Sequence, residues 1–350
     1  LIMQIEAANE KIVANTETSQ GANMLNKETK AMIINELNTG LIEAAKEKVP
    51  AGANLANTLM DILYIGKEAI YRRLRGEVPF TLAEAAVISI KLGISLDKMI
   101  GVSFSNNAVF DLNVVHHSNT FETYHDILTR YVNAFDSIRE DPTTEMATSS
   151  NILPQALYLK HDILSKFRLF KWMYQNENIR CKHFDELEIP HKIYDAQKDF
   201  VNMTQQMRTT DYIWDNTVFE HVVRDIQFFS EIHLISEEDK EMIKDDLLLL
   251  TEELEELAGK GKYETGNDVR IYISNIKFDA TYSYVATSNS HISMIRIYSI
   301  NAITTQDDGM FRSLKEWVQS LKKFSTQISE SGEMQRIRFF KEQREIINTL

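Results

Sequence analysis

The sequence predicts a mainly α-helical protein: an N-terminal helix-turn-helix bundle, then a large helical domain with a small β segment near residues 270–300. Three observations carry this. Apolar residues recur at spacings of three and four through most of the chain, for example Phe121, Tyr124, Leu128, Tyr131, Phe135 and Ile138. Between Asn54 and Ile100 the helical runs are short and separated by tight breaks at Gly66, Gly76 to Pro79 and Gly93. Runs rich in β-branched and aromatic residues stand out at VRIYISNIKF (269–278) and HISMIRIYSI (291–300).

At 350 residues the chain is long enough for two domains. Residues 1–30 are polar and weakly periodic and are expected to form a mobile extension. The helix-turn-helix domain follows at 31–102, a connection at 103–119 and the helical domain at 120–350. No apolar run is long enough to span a membrane, and the N-terminus lacks the pattern of a secretory signal. The single cysteine, Cys181, excludes an internal disulfide and a cysteine-rich zinc site, so a cytoplasmic location is expected. The net charge of −13 is unevenly spread. From Ala51 to Gly101 there are six basic residues against five acidic ones, and the rest of the chain holds 32 against 46. Affinity for nucleic acid is therefore expected to be local to this stretch.

Taken in order, Ile33, Ile34, Leu37, Leu41, Ile42 and Ala45 mark one side of a helix from Ala31 to Val49, ended by Pro50 to Gly52. Leu55, Leu59, Ile62 and Leu63 form the inner stripe of the next helix. After Gly66, Lys67 to Arg75 form a third. Its Ile70 and Leu74 point to the core, and Lys67, Glu68, Tyr71, Arg72 and Arg75 fall within about 140° on the other side. Arg73 lies at the flank. Arginine and lysine bond guanine edges or phosphates, and tyrosine reaches phosphate or stacks, so these six form the candidate DNA-binding set. Thr81 and Glu84 make a capping box for a fourth helix, whose apolar surface is assigned to Leu82, Ala86, Ile90 and Leu92 and which Gly93 ends. ISLDKMIG opens a short closing helix.

The segments IGKEAIYRRLRGE and TLAEAAVISIKLGISLDKMIG resemble the lambda-repressor-like (XRE-type) helix-turn-helix family of bacterial transcription regulators, over about residues 37–101. In that family the helix equivalent to Lys67–Arg75 enters the major groove, so the resemblance implies binding to duplex DNA. The family usually has a small residue where Met60 stands, glycine where Tyr64 stands, and serine or threonine where Gly66 stands.

Beyond the connection, which contains His116 and His117, a helix over 121–138 is followed by a polar loop, PTTEMATSSN. Helices are expected over 152–176, 188–208 and 211–233. The rings of Tyr158, Phe167, Phe170, Trp172 and Tyr174 are assigned to core packing ahead of a ligand pocket. Ser236 to Asp239 caps a long helix ending at Ala258, with a stripe of Ile243, Leu247, Leu250, Leu254 and Leu257. A bundle helix is the first assignment for it and a dimer contact the second. It carries ten acids between Glu237 and Glu256 against Lys240 and Lys244, a solvated acidic face. Tyr282 to Val285 is open between strand and helical turn, and two helices, 307–329 and 333–348, close the chain.

No phosphate-binding glycine loop, GxSxG elbow or HExxH stands in the sequence. Cys181, His183 and His191 lack a fourth metal ligand nearby. No cofactor and no enzymatic activity are expected. The expectation is a transcription regulator that binds duplex DNA as a homodimer, with an effector or protein partner for the C-terminal domain. The alternative is a non-enzymatic interaction scaffold with a degenerate helix-turn-helix adaptor.

Overall fold

A computed structural model of the chain describes residues 27–50, 52–96, 108–115, 119–175, 182–298 and 300–350. Most of the expected N-terminal extension, the closing helix after Leu96, His116, His117 and Cys181 lie outside the described residues. The chain forms two compact units, Leu1–Val109 and Phe110–Leu350.

The first unit contains α1 (Lys27–Lys48), α2 (Leu55–Leu63), α3 (Lys67–Leu74) and α4 (Leu82–Leu92). Each boundary has a local cause. The Asn54 side chain accepts the Asn57 backbone N–H at 3.2 Å and starts α2. Thr81 and Glu84 cap each other's backbone at the start of α4, and Gly93 ends it in the left-handed conformation at φ 66°. Leu41, Ala45, Ala56, Leu59, Ile70, Ile88 and Ile94 form the core. One stripe is corrected. Leu82 and Ile90 are each 81% exposed, and α4 turns Ala85 and Ile88 inward in their place, while Leu92 packs against the core as expected. This helix carries two apolar stripes, and spacing by four residues does not distinguish between them.

The second unit overturns the expectation of a helical domain with a small β segment. Its centre is an eight-stranded mixed sheet in the order β1-β7-β6-β5-β2-β3-β4-β8. The strands are β1 (Asp111–Asn113), β2 (Glu145–Ser150), β3 (Thr209–Asp215), β4 (Asp268–Ser274), β5 (Tyr282–Ala286), β6 (His291–Tyr298), β7 (Asn301–Thr305) and β8 (Ser325–Gln327). β2, β3 and β4 are parallel neighbours, and every other pairing is antiparallel. Parallel neighbours need crossovers. The first comprises α6 (Gln155–Tyr158), α7 (Asp162–Gln175) and α8 (His191–Thr204), and the second α9 (Val218–Glu231) and α10 (Glu237–Lys260). With α5 (Thr120–Asp136) and α12 (Glu333–Ile347) they bury the main core on one face of the sheet.

The stretch assigned to a polar loop is β2, at the middle of the sheet. Its Ala147, Thr148, Ser149 and Ser150 are buried between β3 and β5, and among these small residues only Thr148 carries the β-branched signal that marks most strands. TTDYIWD is β3 and not the start of a helix. Thr210, Tyr212 and Trp214 alternate with Asp211 and Ile213, but Ile213 and Trp214 also fit the period of the helix that follows. The helix expected over 152–176 is broken into α6 and α7 at Leu159 to His161. Phe167, Phe170 and Trp172 are core residues as expected, and Ile243, Leu247, Leu250 and Leu254 of α10 are buried in the same core.

On the opposite face lies α11 (Asp308–Lys323), over Ala147, Ile213, Tyr284 and Ala286. An ion cluster holds it there. Buried Asp211 accepts Arg270 Nε at 2.6 Å and also pairs with Lys322 of α11, while Lys315 pairs with Glu145. Among the described residues no helix is long and apolar enough to cross a membrane.

Gly332, at the start of α12, has φ 71°, and a Cβ there would come within 2.5 Å of the Gln327 carbonyl oxygen. Gly266 has φ 84° with nothing within 4 Å. Gly266→Ala is expected to cost about 1–2 kcal/mol for the left-handed backbone alone. Gly332→Ala is expected to cost clearly more in urea unfolding, because backbone must move.

Candidate nucleic-acid interface

Helix α3 is amphipathic over only eight residues. Ile70 is fully buried and Leu74 packs beside it, as the spacing requires. Lys67, Glu68, Arg72 and Arg75 are exposed, and Tyr71 is half-buried with its ring 5.8 Å from Lys67 Nζ. The structure therefore brings these five to one side of α3 and its C-terminal turn. Glu68 in the first turn favours the helix dipole.

A residue outside the predicted set organises this face. Glu77 lies 3.4 Å from Arg72 Nε and accepts Arg75 Nε at 2.7 Å, and Arg75 also reaches Glu68 at 3.5 Å. The hydrogen bond from Arg75, with the Arg72 charge adding to it, holds the Glu77 carboxyl below the usual carboxylate range. Both arginines remain half exposed, so these pairs are solvated and weak and can exchange for a phosphate. The sequence signal for Glu77 was an acid two residues after Arg75, next to the Gly76 turn.

Arg73 stands apart from the others. Its Nε and one terminal nitrogen bond both oxygens of Glu84 at 3.1 and 2.8 Å, and its other nitrogen donates to the Ala69 carbonyl at 3.1 Å. Its guanidinium lies 5.9 Å from the Phe80 ring centroid. The pair is only 16% and 18% exposed, so Arg73 ties α3 to α4 and does not face outward with Arg72 and Arg75. Asn38 of α1 completes the joint. Its side chain accepts the Phe80 backbone N–H at 3.0 Å and donates to the Arg73 carbonyl at 3.4 Å. A polar residue three and four positions before Leu41 and Ile42, on their apolar stripe, was the available signal for it.

The turn between α2 and α3 is made without a glycine at its left-handed position. Tyr64 itself takes the left-handed conformation, at φ 55°, with its N–H on the Met60 carbonyl and its side chain 93% exposed. Gly66 precedes α3 in extended conformation without a side-chain cap. Among the described residues no group of His, Cys, Asp and Glu could hold a metal. No known protein family, curated protein or solved structure matches the chain.

Burial pushes the Glu84 carboxyl up, but the Thr81 backbone N–H and Arg73 outweigh it and hold the group below its ordinary value. A carboxyl lowered in the folded state contributes stability above its unfolded pKa of about 4.3, lost as pH falls through the folded value. Arg73→Met and Glu84→Gln should each cost about 1–3 kcal/mol at neutral pH. Both should also flatten the acid limb of the stability profile followed by circular dichroism. Arg72→Ala should change stability by less than about 0.5 kcal/mol.

Proposed function

We propose that the chain is a transcription regulator that binds duplex DNA through α3, with Lys67, Glu68, Tyr71, Arg72 and Arg75 as the contacting face. One observation carries this reading. Arg72 and Arg75 are held half exposed on the side of α3 opposite buried Ile70, while the neighbouring Arg73 is consumed inside the unit. A helix kept only for packing has no use for the first two. The resemblance over residues 37–101 to lambda-repressor-like regulators supports the same assignment. Eight residues of α3 span about 12 Å, enough to read only a few base pairs. Two copies on half-sites a helical turn apart multiply that discrimination, so the binding form is a homodimer. The acidic second unit opposes non-specific binding, and the α/β unit is the place for an effector or partner protein.

A second reading, an interaction adaptor, is favoured by the apolar residues Leu82 and Ile90 that α4 leaves exposed. Fluorescence anisotropy on pooled duplexes across a salt series separates the two. The regulator reading expects a selected site, lost in Arg72→Ala/Arg75→Ala, with the salt slope shallower by about 0.9 per phosphate contact removed. Glu77→Gln, which frees both arginines, should tighten binding and steepen that slope. If low salt reveals no duplex binding and the double variant behaves like the parent chain, the adaptor reading stands.

A further inference from the structure

Three connections meet at the amino ends of the parallel strands and enclose a cleft that the proposed function does not use. Register aligns the strand starts, Glu145 beside Thr209 and Thr209 beside Asp268, so the connections from α5, α8 and α10 arrive side by side. The cleft between them has a volume of about 490 Å³, within the range of small-molecule sites. Its walls are tied to one another. The Gln205 carbonyl accepts Thr265 Oγ1 at 2.8 Å and Asn267 Nδ2 at 3.0 Å, which joins the connection before β3 to the turn before β4. Buried Thr144 has its hydroxyl 2.9 Å from the Ile138 carbonyl and 2.7 Å from that of Asp141. Its own carbonyl accepts the Thr209 N–H at 3.3 Å, so the third wall is fixed to the same strand starts. The cleft is preformed.

The lining is polar and carries both signs. Arg139 enters from the connection after α5 and Arg208 from the one before β3. Arg208 is exposed, and its side chain makes no hydrogen bond or ion pair among the described residues. Asp268 is bonded by Lys262 and feels Arg208 only as a charge. The side-chain amide of Gln206 is likewise unbonded among the described residues. Arg139 meets Asp136 and Glu140 through Nε at 3.2 and 3.4 Å, solvated pairs that can exchange for another anion. Glu140 and Asp141 line the cleft beside it, and Asp141 Oδ1 is engaged by the Thr143 N–H at 2.8 Å. No aromatic ring of the described residues lines the cleft, so a nucleobase would find nothing to stack on.

We propose that this cleft binds a small phosphorylated sugar or polyol, with the phosphate on Arg208 and Arg139 and the hydroxyls on Gln206, Glu140 and Asp141. A phosphate has oxygens enough for two guanidinium forks, whereas one fork fills a carboxylate. Carboxylates and an amide in the same lining accept hydroxyl protons, which a bare anion does not offer. The site stands on the α/β unit alone and does not depend on what α3 binds.

The test is thermal unfolding of the full chain titrated with ribose 5-phosphate, ribose, inorganic phosphate and chloride at matched ionic strength. A saturable rise in Tm with ribose 5-phosphate is expected, smaller with inorganic phosphate and absent with ribose or chloride. Arg208→Gln, at an exposed position, should weaken the effect about tenfold. Gln206→Ala leaves both arginines in place and should weaken the response to ribose 5-phosphate severalfold without changing that to inorganic phosphate. Arg224→Gln, which removes the same charge from α9 outside the cleft, should change nothing. No saturable rise with ribose 5-phosphate, a rise no larger than with inorganic phosphate, or equal losses in Arg208→Gln and Arg224→Gln would overturn the proposal.

Discussion

Strand β2 is hydrogen-bonded along both edges, parallel to β3 and antiparallel to β5, and the α/β unit is arranged around that fact. A strand in this position exposes neither edge to water, so its backbone polar groups must all be met by neighbours. Small residues let both faces close over it: Met146 joins the large helical core and Ala147 the core beneath α11. Thr148 and Ser150, both buried, are answered by Ser283 at 3.0 Å and Thr281 at 3.0 Å across the β2–β5 pairing. The parallel neighbours on the other side force the long crossovers, and these place α6 to α10 on one face. The same registry sets Asp211 beside Arg270, and Lys322 of α11 completes that ion cluster from the second face.

The first unit solves a smaller problem with fewer contacts. Its core of mostly aliphatic residues is too small to set the angle of α3 by packing alone. Polar joints take over: Arg73 to Glu84 between α3 and α4, and Asn38 to the turn after α3. Glu84 serves twice, as partner of Arg73 and as the reciprocal cap of α4, so the start of α4 and the position of α3 are set together. Two adjacent arginines thereby acquire opposite roles. Their sequence positions differ by one, which on a helix is a rotation of about 100°.

How much of this was legible in the sequence follows from what each signal reports. Capping boxes at Thr81 and Ser236 and the break at Gly93 are local chemistry, and the structure contains all three. The amphipathic runs of α5 and α10 were legible because one side of each is buried. β2 was not, because a strand buried by pairing on both edges needs no large apolar residues, and EMATSS has the composition of a turn. β3 was masked by the helix that follows it only three residues later. At the candidate interface, the face of α3 could be read from periodicity, but the masking of Arg72 and Arg75 by Glu77 comes from the turn at Gly76 bringing an acid back over the helix. The bonds from buried Arg168 to Tyr124 and Gln155 had no sequence signal at all.

Arg72 and Arg75 illustrate why net charge describes this chain poorly. At −13 overall the protein repels anions at long range, yet salt at physiological strength screens that repulsion within about 8 Å. What an anion meets at contact is local. On α3 the guanidiniums of Arg72 and Arg75 sit in high dielectric and are already paired with Glu77 and Glu68, so any anion reaching them would exchange partners and gain modestly. Placement alone gives this pair weak, solvated and salt-sensitive contacts.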